Sequence, residues 1–185
     1  PVYKNKIAES VKYAWYKENK PVHPYEGEQI FDLDKKGAYT FIKAPRYDGK
    51  AMEVGPLARM IIAKNKDLLG LVVKGAKPGA VARHAARAIE TKLVVDACYE
   101  WLDKLQTEMT KPGFRIHDTE HWEPPASGMG AGYFEPPRGA LGHWIKIKDG
   151  KVENYQAVVP STWNASPRCE NGVRGQYEES LIGAP

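Results

Sequence analysis

The stretch ALGHWIKIKDGKVENYQAVVPSTW, Ala140 to Trp163, decides how this chain is read. Trp144, Ile145 and Ile147 lead into Asp149-Gly150, and Val152, Tyr155 and Ala157-Val158-Val159 lead out. Two runs rich in strand formers on either side of Asp-Gly predict an antiparallel hairpin with a tight turn. Such a pair returns its last residues beside its first. The first strand is preceded by Glu135-Pro136-Pro137-Arg138-Gly139 and the second is followed by Pro160-Ser161-Thr162, so the hairpin makes Arg138 and Ser161 spatial neighbours.

Two prolines fix the backbone before Arg138, restrain the residue ahead of them and donate no backbone hydrogen bond, which puts the arginine on a stiff, non-helical stem. A cation that only keeps a surface soluble needs no such stem, whereas one that meets an anion in a fixed geometry does. With the hydroxyls of Ser161 and Thr162, the guanidinium makes a set of donors suited to an anion, or to the anionic ligands of a metal centre. The competing reading is an arginine that ties a loop to carboxylates or carbonyls, with Ser161-Thr162 merely starting a turn.

Outward from the hairpin, "GMGAG" (Gly128 to Gly132) lacks the preceding strand and following helix of a dinucleotide loop and reads as flexible turn, with a short strand near Tyr133. Pro78 to Met109 is the longest regular element, and Ala85, Ala88, Val95, Cys98, Leu102 and Leu105 follow the spacing of a buried helical stripe. Lys111-Pro112-Gly113 ends it. Cys98 reads as a small apolar residue of that stripe, and His84 as a packed or capping histidine. Further upstream, Lys6 to Tyr16 reads as a short amphipathic helix, and "KPVHPYEGEQIFDLDKKG" as an extended loop. "AYTFIKAPRYDGKAMEVGPLARM" reads as a strand, a turn at "APRYDGK" and a helix with Pro56 in its first turn.

These elements predict an α+β fold, mainly helical with a long buried helix and a small antiparallel sheet or hairpin. Its 185 residues form one segment, mainly helical over 1–110, with loop, hairpin and a short terminal helix over 111–185. A balance of 27 Lys plus Arg against 23 Asp plus Glu leaves +4 without a basic run, which argues against nucleic acid. The only cysteines, Cys98 and Cys169, form no CxxC pair, so neither a disulfide framework nor a self-contained zinc site is expected. His117 and His121 are four apart but flanked by loop signals, which makes them a poor ligand pair. No apolar run is long enough to cross a bilayer, and the opening residues lack the basic, apolar and small-residue order expected of a signal peptide. The chain opens on Pro1, so it is expected to be processed or to be part of something longer.

Read together, "ESVKYAWY", "KAPRYDGKAMEVGPLARM", "ARAIET", "EPPRGALGHWIKIKDGKVENYQAVVPSTWNASPR" and "YEESLIGAP" resemble the large subunit of nickel-iron hydrogenases of the uptake type, in the family's order from Glu9 onward. The resemblance implies reversible oxidation of dihydrogen to protons and electrons at a nickel-iron centre whose iron carries cyanide and carbon monoxide. It places Arg138 over that centre, near its open position and a cyanide, with Pro137 on the same wall. It places Val159, Pro160 and Ser161 around the diatomic ligands, with Ser161 donating to a cyanide. It further implies a magnesium-type ion that takes the backbone carbonyl of Ala157, with Gln156 just outside its ligands.

The sequence departs from the family's pattern at several points. Neither of the family's two metal-binding CxxC pairs is present, nor is the acidic residue thought to move protons. Pro136 replaces an alanine, and Cys169 an aspartate. The resemblance therefore implies partners: remaining large-subunit segments that carry the CxxC pairs, and a small subunit with iron-sulfur clusters. It implies the periplasmic side of a membrane, with the cytoplasm as the alternative. A metal-free scaffold or interaction subunit is the competing function.

Overall fold

A computed structural model describes residues 6–17, 20–73, 78–117 and 123–184. The chain divides into two compact units, one of Pro1–Gly55 with Pro125–Pro185, the other of Pro56–Pro124. Among the described residues the first holds five strands and two short α-helices and the second three α-helices, so the chain is α+β.

In the first unit, strands β4 (Leu141–Lys148) and β5 (Lys151–Val158) form the predicted hairpin. Asp149 and Gly150 both take positive φ, 52° and 69°, the two-residue turn whose twist suits paired strands. A bulge between Lys146 and Ile147 precedes the turn. On the other side of β4 lies β3 (Gly128–Phe134), antiparallel over seven pairs from Gly128↔Ile147 to Phe134↔Leu141. "GMGAG" is therefore strand rather than turn. Glycines offer no side-chain alternation to read, and the pairing edge of β4 supplies the order that they lack.

The N-terminal helix predicted over Lys6–Tyr16 is not formed either. Ile7–Ser10 is strand β1, paired antiparallel with β2 (Ala44–Tyr47) from Ile7↔Tyr47 to Ser10↔Ala44. Glu9 also exchanges backbone hydrogen bonds with Val22, from its N to Val22 O at 2.8 Å and back at 3.2 Å. An isolated eleven-residue helix is marginal in water, so pairing partners on both sides outweigh the local pattern. β2 is "APRY" itself, and the predicted turn narrows to Asp48-Gly49 behind it. Among the described residues up to Gly55 there is a 3-10 turn at Pro24–Glu26 but no α-helix, so the first α-helix begins at Pro56 and not near the N-terminus.

Ile7, Trp144, Val158 and Trp163 form this unit's core, with Tyr25, Tyr47, Met52, Val54 and Ala131 packed on it. Trp163 lies on α4 (Pro160–Asn164), and a further short helix, α5, spans Gln176–Ser180. "KAPRYDGK" and "NASPR", far apart in sequence, meet here. Buried Arg46 donates from Nη1 to Ser166 Oγ at 3.0 Å, and from Nη2 to Pro167 O at 3.0 Å and Val173 O at 2.8 Å.

The second unit packs α1 (Pro56–Ile62), α2 (Lys66–Val73) and α3 (Ala80–Met109) around Leu57, Met60, Leu68, Ala82 and Ala86, with Ile89 beside them. Arg59 on α1 grips Glu90 on α3 with two bonds, Nε to Oε1 at 2.5 Å and Nη2 to Oε2 at 2.7 Å. The stripe predicted to be buried on α3 is not: Ala85 is half-buried, and Ala88, Val95, Cys98, Leu102 and Leu105 are exposed. Ala82, Ala86 and Ile89, which do pack, lie roughly 180° round the helix from Val95, Leu102 and Leu105, at about 100° per residue. His84 is exposed, neither packed nor capping. No helix among the described residues is long and apolar enough to cross a membrane.

Candidate functional site

The hairpin register sets the site's frame. Gly142 pairs with Val158, so the segment before β4 and the segment after β5 leave the same end of the sheet. Arg138 lies four residues before Gly142, and Ser161 lies three residues after Val158.

A third segment ties these two together. Gly139 has φ +132° and is buried, and a β-carbon on it would lie 2.6 Å from Gly55 N and 2.7 Å from Val54 Cγ2. No real β-carbon sits so close, so Arg138-Gly139 rests directly on the backbone of Val54-Gly55. Gly55 meets it from the other side: with φ +127°, its own β-carbon would lie 3.1 Å from Arg138 O. Val54 in turn donates its backbone N to Asn164 Oδ1 at 3.0 Å and accepts from Asn164 Nδ2 at 2.8 Å. Asn164 is the last residue of α4, the helix that bears Ser161.

Held in this way, the Arg138 side chain is exposed, and its guanidinium forms no hydrogen bond or ion pair among the described residues. Pro137, Val159 and Ser161 are also exposed, while Pro160 is buried. An arginine that tied this loop to carboxylates or carbonyls would have such an acceptor, and Arg138 has none among the described residues.

Gln156 differs. It is buried, donates from Nε2 to Gly27 O at 2.9 Å and Asn154 Oδ1 at 3.2 Å, and accepts at Oε1 from Gln29 at 3.2 Å and Lys43 Nζ at 3.4 Å. Lys43 is itself buried beside Glu9, Nζ to Oε2 3.9 Å, and lies over the Tyr16 ring. Sequence reading missed Glu9 on β1, Lys43 just before β2 and Gln29 in the loop after the 3-10 turn, which meet only through long-range packing and leave no local mark. Ala157 pairs with His143, whose Nδ1 is 2.5 Å from the Tyr155 hydroxyl. On the neighbouring strand, Tyr133 stacks edge-to-face on Trp144, and burial foremost pushes its hydroxyl pKa up.

Other residues weighed from the sequence are not assembled into a site. Cys98 is exposed on α3, while Cys169 is buried in a turn, its N donating to Val173 O at 3.1 Å. His117 is exposed, and His121 lies outside the described residues. Among the described residues no group of three His, Cys, Asp or Glu side chains is arranged to hold a metal ion.

A family model for nickel-dependent hydrogenases matches residues 1–185. The chain belongs to that family. It is 38% identical to the quinone-reactive Ni/Fe-hydrogenase large chain of Wolinella succinogenes, over 96% of this chain and 36% of that one. It is also 38% identical to the Hydrogenase-1 large chain of Escherichia coli K12, over 95% and 35%. Among solved structures, the reduced Ni-Fe-Se hydrogenase of Desulfovibrio vulgaris Hildenborough superimposes with a TM-score of 0.81 at 43% identity, over 100% of this chain and 41% of that one. This member of the nickel-dependent hydrogenases thus spans little more than a third of the length of the curated relatives it matches.

The chemistry of the residues present is compatible with the periphery of the metal centre that membership implies, and not with its ligand set. The cysteine count and the lack of a metal-holding cluster among the described residues leave no thiolate set here. The uncommitted cation of Arg138 and the exposed hydroxyl of Ser161 are donors, which suits the anionic periphery of a metal centre. Gln156 has no polar atom left for an ion, so it would act on one only by fixing β5 beside Ala157.

Proposed function

We propose that this chain is a portion of a nickel-iron hydrogenase large subunit, taking part in the reversible oxidation of dihydrogen to protons and electrons as the outer wall of the metal site. The observation that carries the reading is Arg138: an exposed guanidinium without a partner among the described residues, on a stem locked from both sides by proline and by the Gly139-Gly55 contact. The bound centre, with cyanide and carbon monoxide on its iron, would supply the redox chemistry of dihydrogen cleavage, and its cysteine ligands would come from other polypeptide.

On this reading the chain's own groups do electrostatic and steric work. Arg138 projects a fixed positive charge towards the anionic side of the centre, which favours states that carry more negative charge. Ser161 donates a hydrogen bond to a cyanide, and Pro137, Val159 and Pro160 exclude water around the diatomic ligands. Ala157 offers a backbone carbonyl to a magnesium-type ion, and the Gln156-Lys43-Glu9 network holds its strand in place.

Partners follow from the same reading: remaining large-subunit segments with the CxxC pairs, and a small subunit with iron-sulfur clusters. The exposed stripe of α3, with Val95, Leu102 and Met109 each more than half exposed, supports a partner, since so continuous an apolar face is a contact surface. A periplasmic placement of the complex belongs to this proposal.

The test is Arg138→Lys in the native complex. Turnover should fall by about 10²-fold, the scale of removing one preorganised donor from a transition state, with nickel and iron content unchanged. Loss of metal instead would make the arginine structural. A wild-type complex without nickel, iron or cyanide and carbon monoxide infrared bands would leave the metal-free scaffold as the function.

A further inference from the structure

We infer that Asn164, with Gly55 and Gly139, forms a positioning clasp that fixes the Arg138 guanidinium relative to the Ser161 hydroxyl. The inference rests on the proposed function for its purpose and on the contacts alone for its existence.

The two donors lie on separate segments joined by an eighteen-residue hairpin, Leu141 to Val158 counted inclusively, with a bulge near its turn. The ladder brings the segments to one end of the sheet, but it ends at Leu141 on one side and at Val158 on the other. Beyond those residues the two segments leave the ladder, and each instead meets Val54-Gly55. Asn164 uses both ends of its amide on Val54, one accepting and one donating, as a strand partner would use its backbone. Gly139 presses on Gly55 N and on Val54 from the other segment, at a spacing that no side chain tolerates.

The result is a closed ring of contacts: Gly139 to Val54-Gly55, Val54 to Asn164, α4 back to Val158, and Val158 across to Gly142. Val54 also packs on the Trp144 and Trp163 core, which anchors the ring. Removing the Asn164 amide opens the ring at one link. Arg138 and Ser161 would remain present but would no longer be held at a fixed separation, and an ångström of misplacement is enough to cost rate. None of the three residues touches the reacting atoms on this reading, so they are positioning residues.

The test uses the native complex with Asn164→Ala, and Asn164→Asp as an isosteric variant that keeps the acceptor for Val54 N–H but loses the donor to Val54 O. Three quantities are read: hydrogen exchange of the Val54 amide, the cyanide infrared bands, and kcat beside KM for dihydrogen. Expected for Asn164→Ala are faster exchange at Val54, shifted or broadened cyanide bands, and kcat lowered about tenfold or more at unchanged metal content and KM. Asn164→Asp should fall between it and the wild type, and it decides the matter if the alanine variant does not assemble. Unchanged exchange at Val54 would overturn the clasp whatever Arg138 does. Faster exchange with unaltered bands and turnover, in a complex where Arg138→Lys does lower turnover, would overturn the positioning role and leave the proposed function standing. If Arg138→Lys also left turnover unaltered, the proposed function would fall, and the clasp's purpose with it.

Discussion

The sheet end around Arg138 and the outer half of α3 are opposite ways of using a residue. Around Arg138 almost every neighbour is committed: Gly139 lies against backbone, Asn164 spends its whole amide on Val54, and Trp144 and Val158 are buried. Among the described residues the guanidinium of Arg138, like the exposed hydroxyl of Ser161, is not engaged by the protein. Along α3 beyond Ile89 the apolar side chains are exposed, while Lys92 pairs locally with Asp96 and Glu108 with Lys111. Rigidity around a free polar group marks a site that acts, whereas a free apolar stripe marks a surface to be covered.

Equal truncations should separate the two regions. Trp144→Ala removes the largest fully buried side chain of its core and should cost about 3–5 kcal/mol, enough to abolish cooperative thermal unfolding in a marginal unit. A variant that loses less than about 1 kcal/mol would mean that the sheet end is not organised around this ring, and the contrast with α3 would collapse.

Smaller but more specific is Gly139→Ala set against Gly113→Ala. Both glycines have positive φ, +132° and +77°, but Gly113, beyond the end of α3, has nothing within 4 Å of where a β-carbon would stand. Alanine at Gly113 should cost roughly 1 kcal/mol from backbone conformation alone, and at Gly139 about 1–3 kcal/mol for backbone strain with overlap added. Denaturant midpoints check this. Equal losses would show that Val54-Gly55 gives way and that no tight contact constrains Arg138.

Legibility in the sequence follows the same contrast. The hairpin was legible because Asp149-Gly150 states the turn locally and the alternation of Trp144, Ile145 and Ile147 states the strand. From that register came the proximity of Arg138 to Pro160-Ser161. Long-range pairing left no such mark. β1 carries helical spacing and becomes strand because "APRY" and Val22 lie beside it, and β3 has glycine at three of its seven positions. The clasp was illegible for the same reason: an asparagine that caps a backbone 110 residues away looks in sequence like any turn residue. On α3 the period was right and the burial wrong, since periodicity names a face without naming what covers it.

Leu102→Ala should have the smallest effect of all. Leu102 is 59% exposed, so truncation leaves no cavity, and in the chain by itself the unfolding midpoint should move by no more than about 0.5 kcal/mol equivalent. Ala82, Ala86 and Ile89, which hold α3 to its own unit, are on the opposite side of the helix and would not register the change. In the native complex the same substitution should weaken retention of the chain on its partners, read as a shorter lifetime on dilution, because the exposed stripe is then the contact. A large loss in the chain alone would mean that the stripe is already covered there. No loss in either setting would mean that α3 carries an apolar face that nothing uses, and the contrast between acting site and covered surface would hold only at the sheet end.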